Sequence, residues 1–225
     1  MSHRGIGRLH VITDVTLQSR YTHAALASMA IAGGADLVQF RSKEPNFRLQ
    51  LHEAEKVARI CRERGATFIV NDRVDLAIAV GADGVHLGRS DMPVAVARHI
   101  LGPEALIGAT ARSTEDVRNA ESEGADYVGL GPIYSTGTKR VDHPPLGTET
   151  VREIVRHSNL PIIAIAGITI DNVADVLSCG VWGVAVIGAV VLADDPEAAT
   201  RRLVSGMRRG FVAPSGEWPR TLNAR

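Results

Sequence analysis

Two cysteines in 225 residues, Cys61 and Cys179, are too few and too far apart for a disulfide framework. Neither has the close partner of a CxxC metal or redox site, so buried thiols in a reducing compartment are expected. Net charge is absent as well. Lys plus Arg and Asp plus Glu stand at 25 each, so no global field draws the chain to nucleic acid or to an acidic membrane surface. An anionic ligand must therefore be gripped by a local cluster of side chains. No apolar run approaches the roughly 18 residues of a membrane span, and the opening MSHRGIGRLHVITD has no apolar stretch of the signal-peptide kind. A soluble, cytoplasmic protein is expected. Ser-His-Asp and HExxH signatures are missing too, so neither a nucleophilic triad nor a zinc hydrolase is indicated.

What is present is a repeated phrase. GADLVQF at Gly34, GATFIVN at Gly65, GADGVHL at Gly81, GADYVGL at Gly124 and a degenerate GVWGVAV at Gly180 each place a helix-ending glycine before an apolar strand. With Leu9–Thr13, Leu106–Thr110 and Ile162–Ala166, this predicts eight strands centred near 11, 39, 69, 86, 108, 129, 164 and 185. Their mean spacing of about 25 residues suffices for a strand and a crossover helix. Helices are expected from about Thr22 to Ala32, from Phe47 to Arg64 and from Val74 to Val80. The fold class is α/β: a (β/α)8 TIM barrel as a single domain over residues 1–209, with a loosely ordered tail at 210–225. The competing architecture, an open doubly wound sheet, usually begins with a GxGxxG turn; Thr13-Asp14-Val15-Thr16 stands there instead.

In a barrel the loops after the strands form the active face. Candidates are Gln39, Arg41 and Lys43 after the second strand, Asn71 and Asp72 after the third, Asp91 after the fourth and Thr110 after the fifth. The sixth strand runs into GPIYSTGTKR, which contributes Thr136, Thr138 and Lys139. Gly167 follows the seventh strand, and Ile187 with Gly188 the eighth. Asp72 and Asp91 end consecutive parallel strands, close enough to share one cation; equally, each is placed to cap the helix that follows it. Two carboxylates among Arg41, Lys43 and Lys139 suit a polyanion held partly by basic side chains and partly through Mg²⁺. Glycines after the last two strands suit a second, separate phosphate. His10 and His86 read as core histidines, and His143 sits in a loop from which a substrate is reachable.

The motifs QFRSK (39–43), VNDRVDLAIAVGADGVHLGRSDMP (70–93), GADYVGLGPIYSTGTK (124–139), PPLG (144–147) and AGI (166–168) together resemble the thiamine phosphate synthase family over roughly residues 9–208. That resemblance implies a transferase on a TIM barrel. It would join 4-amino-2-methyl-5-hydroxymethylpyrimidine diphosphate to 4-methyl-5-(2-hydroxyethyl)thiazole phosphate, releasing pyrophosphate. It implies Mg²⁺ on Asp72 and Asp91, and the pyrimidine diphosphate on Gln39, Arg41, Lys43, Asn71 and Lys139, with Thr110 beside it. It places the thiazole phosphate on Thr136, Thr138, Gly167, Ile187 and Gly188. Lys43, Lys139 and Arg41 would be catalytic, by helping a diphosphate depart in a dissociative displacement. Expected partners are the two phosphorylated small molecules, without nucleic acid or membrane; a homo-oligomer is left open.

Departures from the family pattern are Ser42 where an acid is common, Thr110 for serine, Gly188 for serine and Arg112 for histidine. The related thiazole tautomerase is thought to move protons with that histidine. A permanently charged guanidinium is a poor base, so Arg112 argues against tautomerase chemistry. A non-catalytic barrel that binds thiamine precursors is the remaining alternative.

Overall fold

The computed structural model describes residues 5–137 and 144–210. Eight strands close into a barrel in sequence order: β1 (Leu9–Thr13), β2 (Leu37–Phe40), β3 (Thr67–Asn71), β4 (Gly84–Leu87), β5 (Leu106–Ala111), β6 (Tyr127–Leu130), β7 (Ile162–Ile165) and β8 (Gly183–Val186). All neighbouring pairs are parallel, and β8 returns to β1. Around them run α1 (His23–Ala32), α2 (Phe47–Arg64), α3 (Val74–Val80), α4 (Val94–Leu101), α5 (Thr114–Ser122), α6 (Gly147–Arg156) and α7 (Val173–Leu177). A one-turn α8 (Gly188–Val191) and a longer α9 (Pro196–Gly210) complete the described chain. The expected strands and the three expected helices are all present. Helix α9 takes in Gly210, and the tail beyond it lies outside the described residues.

Two apolar layers hold the barrel. Between sheet and helices, Val38, Phe40, Phe68, Val70, Val85, Val128, Ala164 and Val184 face buried helical residues such as Ala54, Val57, Cys61, Val151 and Val176. Strands covered on their outer face by helices read as near-continuous apolar runs, which is why they stood out in the sequence. Inside the barrel a smaller cluster of Ile6, Ile12, Tyr127, Ile163 and Ala185 fills the floor.

The recurring aspartate has a separate job at the opposite rim. Asp36, just before β2, accepts from the backbone N–H groups of Arg8 and Leu9 at 2.9 and 2.8 Å. Asp83, before β4, accepts from Phe68 N–H at 2.8 Å, and Asp126, before β6, from Ile107 N–H at 2.7 Å. Each carboxylate thus satisfies a donor near the start of the preceding strand, where the ladder has not yet begun. The strand ends opposite this rim are left free to diverge into the loops of the site. No helix among the described residues is long and apolar enough to cross a membrane.

Candidate active site

The C-terminal strand ends surround one cavity of about 820 Å³. Its wall includes Gln39, Arg41, Lys43, Asn71, Asp72, Asp91, Thr110, Thr136, Gly167, Ile187 and Gly188, so these positions expected from the sequence converge on a single space. Thr138, Lys139 and His143 lie outside the described residues.

The two aspartates meet because β3 and β4 are adjacent and in register, Asn71 opposite His86, with Asp72 N–H donating to the His86 carbonyl at 2.9 Å. Neither carboxylate caps a helix. The residues at the cap positions of α3 and α4 are Arg73 and Pro93, and neither helix start has a side-chain cap bond. Asp91 instead accepts from Gly88 N–H at 2.7 Å, which fixes its loop. Burial raises the Asp72 pKa above the usual carboxylate range. A hydrogen-bond contact with Asp91 and its negative charge push the same way, while Lys43 and Arg41 pull against them. The Lys43 ammonium stands 3.6 Å from Asp72. Two carboxyls pressed together beside a ligand-sized cavity are a place that a divalent cation stabilises. No group of three or more His, Cys, Asp or Glu among the described residues could hold a metal. An ion here would keep water and substrate oxygens in its shell, the habit of Mg²⁺, so the residues present fit that ion.

Behind this pair the wall is built from strand residues. His86, expected in the core, is half-buried and lines the cavity, with Nδ1 3.3 Å from the Tyr127 hydroxyl and Nε2 3.2 Å from Thr110 Oγ1. The rings fit because β5 and β6 offer glycines opposite them. A Cβ on Gly108 would lie 2.5 Å from His86 Nδ1, and one on Gly129 2.9 Å from His86 Cε1. His10 is fully buried below, its Nε2 2.6 Å from the Ile6 carbonyl. Burial lowers the His10 pKa to about 4, which keeps the ring neutral at physiological pH. Arg112 lines the cavity too, its own N–H donating to Asp116 at 2.8 Å.

The far wall depends on the loop after β6. Ile133 N–H donates to the Ile165 carbonyl at 3.0 Å and Tyr134 N–H to Ala166 at 3.2 Å, laying this loop across the end of β7. Gly167 has φ +69°, and a Cβ there would stand 2.6 Å from the Ser135 carbonyl oxygen. Glycine is required both for the left-handed backbone and for the close approach. That approach brings Thr136 and Gly167 into one wall, next to the start of α8, which has no side-chain cap.

The sequence model of the family described as thiamine monophosphate synthase matches residues 9–190, which span β1 through almost all of α8. The chain belongs to this family. Among its relatives, thiamine-phosphate synthase of Salinibacter ruber is 45% identical over 199 residues, covering 88% of each chain. That of Methanoculleus marisnigri is 49% identical over 195 residues, covering 87% of this chain and 92% of the relative. The solved structure of thiamine phosphate pyrophosphorylase from Pyrococcus furiosus superposes with a TM-score of 0.84 at 39% identity, covering 93% of this chain and 99% of that one. Family membership makes the protein a transferase of thiamine biosynthesis, a thiamine-phosphate synthase.

For a thiamine-phosphate synthase the described cavity has suitable parts. The β2–β4 side carries cations and the carboxylate pair. The β6–β8 side offers hydroxyl and backbone groups, and the floor between them is apolar.

Sequence reading missed two contributors. Asp14, seen only as part of a turn lacking glycines, is buried and paired with Arg41. His86 was masked by its apolar strand, although an inward position opposite Asn71 was the signal available.

Proposed function

We propose that the protein condenses 4-amino-2-methyl-5-hydroxymethylpyrimidine diphosphate with 4-methyl-5-(2-hydroxyethyl)thiazole phosphate, giving thiamine phosphate and pyrophosphate. The observation that carries this reading is the meeting of Asp72 and Asp91 at one cavity with Lys43 and Arg41 beside them. Asp72 and Asp91 hold Mg²⁺, which when bound neutralises charge on the diphosphate. Gln39 and Asn71 orient the pyrimidine side, with the Thr110 hydroxyl, fixed by His86, next to it. Arg41, Lys43 and Lys139 collect the charge that develops on the leaving diphosphate as the CH₂–O bond breaks. The exocyclic amine of the pyrimidine feeds electrons into the ring and stabilises the carbocation. The thiazole nitrogen then attacks that CH₂ group, its own phosphate held by Thr136, Thr138, Gly167 and the Ile187–Gly188 backbone. The protein contributes positioning and charge.

We place the reaction in the cytoplasm, a compartment suited to the buried free thiols of Cys61 and Cys179. Purified protein given Mg²⁺ and both substrates is expected to release pyrophosphate, with thiamine phosphate formed in equal amount. Asp72→Ala is expected to lower that rate by about 100-fold or more. Wild-type protein releasing no pyrophosphate under these conditions would overturn the reading.

A further inference from the structure

We propose that Asp14 is a positioning residue for the reaction: from behind the cavity wall it fixes the Arg41 guanidinium that receives the diphosphate. The proposal rests on the synthase reading of the cavity. Asp14 directly follows β1, is 1% exposed and does not line the cavity, whereas Arg41 does. Its two carboxylate oxygens have different tasks. Oδ1 accepts from Thr16 N–H at 2.9 Å and from the Thr16 hydroxyl at 2.6 Å, closing a short 3-10 turn over Val15–Leu17. Oδ2 faces Arg41 and forms a direct ion pair with Nη1. Capping the turn accounts for the first oxygen and leaves the second unexplained.

The backbone repeats the connection, since Arg41 N–H donates to the Thr13 carbonyl at 3.2 Å. Further back, His23 Nδ1 lies 2.8 Å from Thr13 Oγ1, and that hydroxyl donates to the Gln39 carbonyl at 3.4 Å. A buried polar layer thus stands directly behind Gln39 and Arg41. Among the described residues Asp14 is the one acceptor bonded to the guanidinium, so the remaining fork of N–H donors is left for a ligand anion. Lys43 differs: its side chain is 53% exposed and its ammonium lies 3.6 Å from Asp72. Lys43 supplies an exposed charge and Arg41 a fixed direction. Pairing with Asp14 weakens the pull of Arg41 on an anion, so the benefit is geometric and belongs to orientation.

A double-mutant cycle tests this. Asp14→Asn is expected to lower kcat/KM for the pyrimidine diphosphate about tenfold or more while leaving the KM for thiazole phosphate unchanged. In an Arg41→Ala background the same change should cost less than about twofold, because its effect passes through Arg41. Equal losses in both backgrounds would make Asp14 a purely structural cap and overturn the proposal. Should Asp14→Asn not fold, Asp14→Glu keeps the charge but displaces the carboxylate; it is expected to show the same selective loss, and wild-type constants would overturn the idea. Calorimetry with inorganic pyrophosphate and Mg²⁺ reads the same coupling without turnover. Coupled binding in a protein without synthase activity would keep the positioning role and remove the reaction; uncoupled binding in an active enzyme would do the reverse.

Discussion

Asp72 occupies the left-handed region with φ +66°, one of two non-glycine residues described there. The conformation disfavours most side chains, and aspartate tolerates it better than most. It turns the chain directly after β3, so that the carboxylate meets Asp91 rather than the start of α3. Burial and the neighbouring carboxyl both act against its ionised form. On the proposed function, this position is therefore one where local stability and function oppose each other. Asp72→Gly relieves the backbone and removes the repulsion, at the expense of greater freedom in the unfolded chain. Its unfolding free energy is expected to stay within about 1 kcal/mol of wild type, while pyrophosphate release collapses; denaturant titration beside the activity assay checks both. Gly108→Ala tests the opposite case. Its Cβ would crowd Tyr127 and His86 within the barrel, so a loss of about 1–3 kcal/mol in stability is expected, together with slower turnover from a displaced Thr110.

At the scale of elements, the aspartates before β2, β4 and β6 tie each of those strands to its predecessor. Asp83→Ala is expected to lower stability by about 1.5–3 kcal/mol through the lost charged hydrogen bond to Phe68 N–H. The KM values should hardly change, because this rim lies at the far end of the strands; thermal melting with steady-state kinetics separates the two effects. The strands themselves were legible because burial on both faces writes itself as an apolar run, and Gly65 and Gly81 end their helices in the left-handed conformation that such glycines signal. The aspartate in the same phrase was not legible. Its partner sits on a strand already passed, as with Asp36 and Leu9 at 27 residues' distance. Likewise the choice between capping and convergence at Asp72 and Asp91 turned on the direction of a side chain, which no spacing records. Arg41 could be read as a site residue from its place after β2, yet Asp14, which holds it, could not. The Arg41–Asp14 contact exists because β1 and β2 pair with Thr13 opposite Phe40.

For the whole molecule, two buried histidines couple folding to pH. Burial lowers the pKa of His10, inside the barrel, and of His23, between α1 and the sheet, to about 4 in each case. In the unfolded chain each titrates near 6.5, so below that pH the unfolded state binds more protons than the folded one. The stability from each is fully present above pH 6.5 and declines by about 1.4 kcal/mol per pH unit as pH falls towards 4. Asp72, with its pKa raised, contributes with the opposite sign and offsets part of that slope at the acid end. Urea unfolding between pH 7 and pH 4.5 is expected to show the decline, and His23→Phe should flatten it. The barrel therefore keeps its closed geometry at neutral pH.

On the proposed function, Asp72 and Asp91 share one divalent ion at the diphosphate. The most direct measurement is the anomalous signal of crystals soaked with Mn²⁺ and pyrophosphate. A single peak is expected between the two carboxylates, bonded to an oxygen of each at about 2.1 Å, as for an octahedral ion of this kind, and to the diphosphate as well. A map with pyrophosphate bound, no peak at that position and the two carboxylates turned to separate partners would contradict it.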